Sequence, residues 1–205
     1  MPAFSHALQS FSLTLRRLIT PPAHPTRVLV RHRVRLFAAV GAGGTSGLIF
    51  LVVYYLTLGL LPAAFSYPTT TYPVDAWAHR MDLAQFAGSF LYPPLPTPLT
   101  WWLGLAVLFG TLTVLGVVYA LGLAWALQTS DTVKGVGFGV ALFFGLALTL
   151  TFANGVHPAI MRNVLPDTGV FLIGWSFWAT LQLFLVHLIY GACLGTLYRR
   201  LTLKD

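Results

Sequence analysis

The sequence predicts an all-α integral membrane protein, a four-transmembrane-helix bundle with an N-terminal surface amphipathic helix and a short outer interfacial helix. Three observations predict it. Four apolar runs, at residues 36–61, 101–127, 135–152 and 169–198, hold no Lys, Arg, Asp or Glu in their apolar bodies. Only 8% of the 205 residues are charged and 57% are hydrophobic, whereas a soluble domain carries about 25% charged residues to face water. The basic residues also gather at one side of the runs.

Residues 1–25 form a cytoplasmic arm and proline linker. Phe4, Leu8, Phe11, Leu15 and Leu18 recur at the three- and four-residue steps of one helix face. A helix over residues 3–19 is therefore expected to lie on the membrane surface or on a partner. Pro21, Pro22 and Pro25 separate it from the first span. Its apolar residues are spaced rather than continuous, unlike a secretory signal.

Residues 26–205 form the membrane domain. A hydrocarbon core takes roughly 20 helical residues to cross, and lipid offers the backbone no hydrogen bonds, so such runs must be helical. They are too long and too uniformly apolar for the alternating strands, about ten residues each, of a β-barrel.

Charge sets the expected orientation. Arg16, Arg17, Arg27, Arg31, Arg33, Arg35, Lys134, Arg199, Arg200 and Lys204 flank one side, and only Arg80 and Arg162 flank the other. The first side is expected to be cytoplasmic, in the cell inner (plasma) membrane with both termini inside. The net charge of +7 then reads as attraction to anionic headgroups, chiefly through Arg16, Arg17, Arg31, Arg33, Arg35, Arg199 and Arg200, rather than to nucleic acid.

The outer segment, residues 62–100, is proline-rich at both ends. Between them Val74, Trp77, Ala78, Met81, Ala84 and Leu91 predict a short amphipathic helix, with Asp75, His79, Arg80 and Asp82 on its solvated face. Trp101 and Trp102 follow at the bilayer edge, where indole rings concentrate. A faint internal repeat aligns residues 115–124 with 186–195, Tyr119 matching Tyr190. It would relate two parallel helix hairpins by an axis along the membrane normal.

The run Gly41-Ala42-Gly43-Gly44-Thr45-Ser46-Gly47 lacks the strand that a nucleotide-binding loop requires. Its expected role is close helix packing through Gly43 and Gly47. Gly135, Gly137, Gly139, Gly191 and Gly195 read the same way, some of these faces alternatively docking other subunits. His187 is the candidate cofactor-binding residue, since an ionisable group inside a span is a functional hypothesis by default. Its readings are an axial ligand to haem or chlorophyll, a quinone or proton contact, or a neutral ring hydrogen-bonded to Thr111 or Thr113. His157, before Pro158, reads as helix termination at the far side. No catalytic residue and no metal ligands at suitable spacing are expected, Cys193 is the lone cysteine, and the spans hold no carboxylate for coupled ion transport.

The last helix carries His187-x-x-Tyr190-Gly191-x-x-x-Gly195-x-x-Tyr198. This resembles the closing pattern of a family of small bacterial four-helix membrane proteins known only as a domain of unknown function. Residues 81–89 are similar to that family's segment before its second helix. Where such proteins often carry a second histidine early in helix two, this chain has apolar residues such as Leu112. The resemblance implies the architecture and no activity.

Three functions fit. The first is a non-catalytic accessory subunit of a larger membrane complex, respiratory or photosynthetic. The second is a small transporter or channel for a neutral or lipidic solute, lined by residues such as Thr45, Ser46, Thr149, Asn154 and Gln182. The third is a haem- or chlorophyll-binding protein using His187. The expected partners are membrane lipids and other membrane subunits.

Overall fold

The structure, a computed structural model, describes residues 35–60, 82–91, 98–126, 129–153, 155–162, 165, 167–169 and 177–203. Among these residues there is no strand. The helices are α1 (Leu36–Leu60), α2 (Leu83–Leu91), α3 (Pro98–Leu121), α4 (Leu123–Ala126), α5 (Asp131–Ala153), α6 (Pro158–Met161) and α7 (Phe177–Thr202). Of these, α1, α3, α5 and α7 are long and apolar enough to cross a membrane. The expected arm helix at residues 3–19 lies outside the described residues.

The helix ends differ from the ends of the expected apolar runs. The second begins at Pro98, where proline suits a first helical turn, and is interrupted at Gly122 before α4. The third begins four residues early because Ser130 caps it, its Oγ accepting from the Val133 amide at 3.4 Å. Its first turn, with Asp131 and Lys134, is helical but polar and so escaped an apolar criterion. The fourth is described from Phe177, and residue 169 is not helical, since Gly169 has φ 63, outside the helical region. It continues through Arg199 and Arg200 to Thr202, cations at a helix C-terminus being favoured by the macrodipole.

The long helices pack α3–α1–α7–α5, each antiparallel to its neighbour. Small residues bring these helices together. A Cβ on Gly43 would lie 2.7 Å from the Thr113 carbonyl oxygen, and one on Gly47 would lie 2.9 Å from Leu112 Cβ, so α1 and α3 touch backbone to backbone. On the other seam, Gly135 and Gly191 each leave no room for a methyl beside the other's carbonyl oxygen. Gly139 faces the His187 carbonyl, and Gly195 the Asp131 carbonyl, in the same way.

Tyr119 and Tyr190 span the wider gaps. Both are fully buried, Tyr190 donating to the Leu112 carbonyl at 2.6 Å and Tyr119 to the Asp131 carbonyl at 3.3 Å. The Tyr119 ring also lies 5.4 Å from that of Phe138. The two hairpins expected from the repeat are present as α1–α3 and α5–α7, but their symmetry is broken. Helices α1 and α7 are in close contact, while α3 and α5 are not and rely on the reach of Tyr119.

Helix α2 differs from the expected surface helix. Its amphipathic part from residues 74 to 81 lies outside the described residues, and the remainder is pressed antiparallel onto the first two turns of α3. Gly88 meets the Thr100 carbonyl and Gly104 meets the Ala84 carbonyl, with no space for a Cβ at either glycine. It is thus a half-helix docked on the bundle rather than a helix lying free along the interface.

Candidate functional site

Two ends and one interior position concentrate the polar chemistry. At the basic end, Arg35 donates to the Thr202 carbonyl at 2.8 Å and so ties the start of α1 to the last turn of α7. Lys134 is 8% exposed and donates to the Ala124 carbonyl at 2.9 Å and to Asp131 Oδ1 at 3.3 Å. Arg199 reaches the other carboxylate oxygen of Asp131 at 3.5 Å. One aspartate therefore serves two cations, and Arg200 is exposed beside them. Arg16, Arg17, Arg31 and Arg33 lie outside the described residues.

At the opposite, aromatic end, Asp82 caps α2, its Oδ1 accepting from the Ala84 and Gln85 amides at 2.9 and 3.2 Å. The same oxygen accepts the Tyr55 hydroxyl at 2.6 Å, which joins α1 to the cap. His157 is wholly buried, stacked on Phe86 and edge-on to Phe90, both with centroids at 4.3 Å. Its Nδ1 accepts from the Ala159 amide at 3.2 Å and caps α6. The proton of the neutral ring is then on Nε2, which donates to the Phe86 carbonyl at 3.1 Å.

Ser89 Oγ stands 3.4 Å from this Nε2. A protonated Nε2 cannot take a proton from serine, and among the described residues Nδ1 meets the Ala159 amide rather than a carboxylate. The pair joins α2 to α6.

The interior position is His187, 5% exposed. Its ring does not reach Thr111 or Thr113. Instead Nδ1 lies 2.6 Å from the Leu183 carbonyl one turn back and donates to it. The ring packs against Phe50 at 5.1 Å and Phe143 at 6.0 Å. The donation leaves Nε2 as an acceptor with its lone pair unused among the described residues.

The residues considered for a pore do not converge. Thr45 and Thr149 are exposed on different helices, Ser46 is buried, Gln182 is buried against α1, and Asn154 lies outside the described residues. Of the packing glycines, Gly43, Gly47, Gly135, Gly139, Gly191 and Gly195 all lie in helix seams, but Gly137 points outward with nothing within 4 Å of its Cβ position. Among the described residues no cluster of His, Cys, Asp or Glu is placed to hold a metal ion.

Sequence reasoning missed the Gly88–Gly104 contact, although Ala84-x-x-x-Gly88 and Thr100-x-x-x-Gly104 carry the small-residue spacing. It also missed a stripe on α5, where Gly137, Ala141, Gly145 and Thr149 stand four apart and are all exposed.

Fold and packing together define an all-helical bundle whose four long helices can each cross a membrane. Compared with known proteins, the chain matches no family model, no curated protein and no solved structure.

Proposed function

We propose that this chain spans the inner (plasma) membrane with both ends in the cytoplasm, as a non-catalytic accessory subunit of a larger respiratory or photosynthetic complex. The observation that carries the reading is the outward stripe of α5. Gly135 and Gly139 on this helix are closed against α7, but Gly137, Ala141, Gly145 and Thr149 are exposed, and nothing among the described residues lies within 4 Å of a Cβ placed on Gly137 or Gly145. The stripe extends over ~18 Å of helix. In lipid, apolar burial gives helices no reason to associate, and smooth small-residue faces supply close van der Waals contact instead. The polar side chains support the same reading, since most of their bonds go to backbone caps and helix ties.

Native electrophoresis of gently solubilised membranes tests it. The tagged chain should migrate in a complex well above its own 22.4 kDa, whose absorption or redox activity identifies the class. Gly137→Leu with Gly145→Leu should release it without lowering its thermal stability, because both positions are open. A wild-type chain that migrates alone overturns the proposal.

One geometric observation favours a second reading, a haem or chlorophyll ligated by His187. Metal-binding histidines usually donate their other ring nitrogen to a carbonyl or carboxylate, as Nδ1 does here to Leu183. Nε2 would be the ligand. The donor suits the group, but Phe50 and Phe143 enclose the ring, so a macrocycle would have to displace one of them. A visible spectrum of the purified protein, lost in His187→Leu, would establish this reading, and a colourless protein would remove it.

A further inference from the structure

We infer that the seam between α1 and α7 holds a bound hydrogen-bond donor at Oε1 of Gln182, near the aromatic end of the bundle. The inference rests on the membrane-spanning reading. Gln182 is 6% exposed, and its Nε2 donates to the Tyr54 carbonyl at 2.9 Å and to the Thr57 hydroxyl oxygen. These two bonds fix the orientation of the amide. A flip would aim Oε1 at the Tyr54 carbonyl, acceptor against acceptor. Oε1 therefore faces away from α1's bonding groups, buried and without a partner.

An amide oxygen in that condition does not persist in a native protein. The large majority of buried side-chain polar atoms are hydrogen-bonded, and hydrocarbon offers an unpaired one no partner. Among the described residues Ser46 Oγ is the other partnerless buried side-chain atom, but the comparison separates them. A helical hydroxyl satisfies itself by rotating onto the carbonyl four residues back, as Thr149 and Thr151 do at 2.8 and 2.9 Å. Gln182 has no such recourse, because its amide is already held by α1. None of the described residues offers Oε1 a donor, so we assign the donor to the aqueous and headgroup region at this end of the bundle.

Access is short. Gln182 lies five residues inside the start of α7, ~8 Å along the axis, and Thr57 only three residues from the end of α1. The required chemistry is one O–H or N–H donor, supplied either by water or by a lipid headgroup carrying a hydroxyl or amine. A donor there continues the Tyr54–Gln182 bridge that ties the two helices.

Solid-state NMR of the full chain tests this with uniformly 13C-labelled glutamine and 15N-labelled leucine. Gln182-Leu183 is the sole Gln-Leu pair in the sequence, so its signals are assigned without a variant. Co-migration with the nanodiscs checks membrane insertion separately. In phosphatidylcholine nanodiscs, whose headgroup has no O–H or N–H, magnetisation should pass from water protons to Gln182 Cδ faster than the side-chain amide protons exchange. Transfer seen only in phosphatidylethanolamine nanodiscs, from the headgroup amine, supports the site with a lipid donor. An inserted protein with no transfer in either lipid, and a Cδ shift typical of an unbonded amide, overturns the inference.

Discussion

The Tyr190 hydroxyl on α7 donates to the Leu112 carbonyl on α3 at 2.6 Å, from a ring with no exposed surface. The two helices have no close backbone approach, so the length of the tyrosine joins them. Its ring also lies edge-on to Phe50 of α1 at 6.3 Å, so one side chain gathers three helices.

Tyr190→Phe should keep the ring contacts and lose the bond, costing about 1 kcal/mol, since interhelical hydrogen bonds in membrane proteins average ~0.6 and reach ~1.7 kcal/mol. Tyr190→Ala should cost about 3–5 kcal/mol, because it also leaves a cavity. Thermal unfolding followed by a thiol-reactive dye reads both, Cys193 being a half-buried native probe. Equal losses would show that the ring contributes nothing beyond the bond, and an unchanged Tyr190→Phe that the hydroxyl contributes nothing.

Gly191→Ala and Gly137→Ala are chemically identical changes with opposite expected outcomes. The first places a methyl against the Gly135 carbonyl, and only separation of α5 and α7 relieves it. The second meets nothing and gains helix propensity, worth up to about 1 kcal/mol in water. The dye assay should show a large fall in unfolding temperature for Gly191→Ala and none for Gly137→Ala. A well-tolerated Gly191→Ala would mean that the α5–α7 seam is looser than described.

Much of this architecture was legible in the sequence, for a specific reason. Exclusion of charge from a long run is a property of single residues, so the four long helices could be counted by composition. Helix ends were less legible, because Ser130, Asp131 and Lys134 are polar yet helical, and Arg199 and Arg200 continue α7 where an apolar criterion stops. Partner choice was less legible still. Gly135 and Gly137 are two positions apart and look alike in sequence, yet one meets α7 and the other faces outward. The surroundings of His187 show the same limit. Thr111 and Thr113 are reasonable partners by type, but the ring of His187 turns to the Leu183 carbonyl of its own helix.

Asp131 should matter more than either of its cations suggests. Arg199 is 60% exposed, and such pairs contribute about 0–1 kcal/mol, so Arg199→Ala should be nearly neutral. Asp131→Ala instead leaves the buried Lys134 ammonium with the Ala124 carbonyl alone. Asp131 is itself 31% exposed, so the cost falls short of the ~3–5 kcal/mol of stranding one partner of a fully buried pair. The double variant Asp131→Ala with Lys134→Met should recover part of that loss in denaturant unfolding. If it recovers none, the cost lies in the helix start rather than in the stranded charge.

His157 performs two separable tasks, and two variants should divide them. Its Nδ1 caps α6 through the Ala159 amide, while Nε2 and the ring hold α2 through the Phe86 carbonyl and the Phe86 and Phe90 rings. Asparagine is a good cap with a short reach, so His157→Asn should preserve α6 and release α2. Phenylalanine keeps an aromatic face but has no acceptor, so His157→Phe should preserve ring packing on α2 and unprotect Ala159. Hydrogen exchange resolved to peptides reads this directly, with faster exchange over Leu83–Leu91 in the first variant and around Ala159 in the second. Identical exchange patterns in the two variants would show that cap and clasp open as one unit, because the docking of α2 itself would then depend on the start of α6.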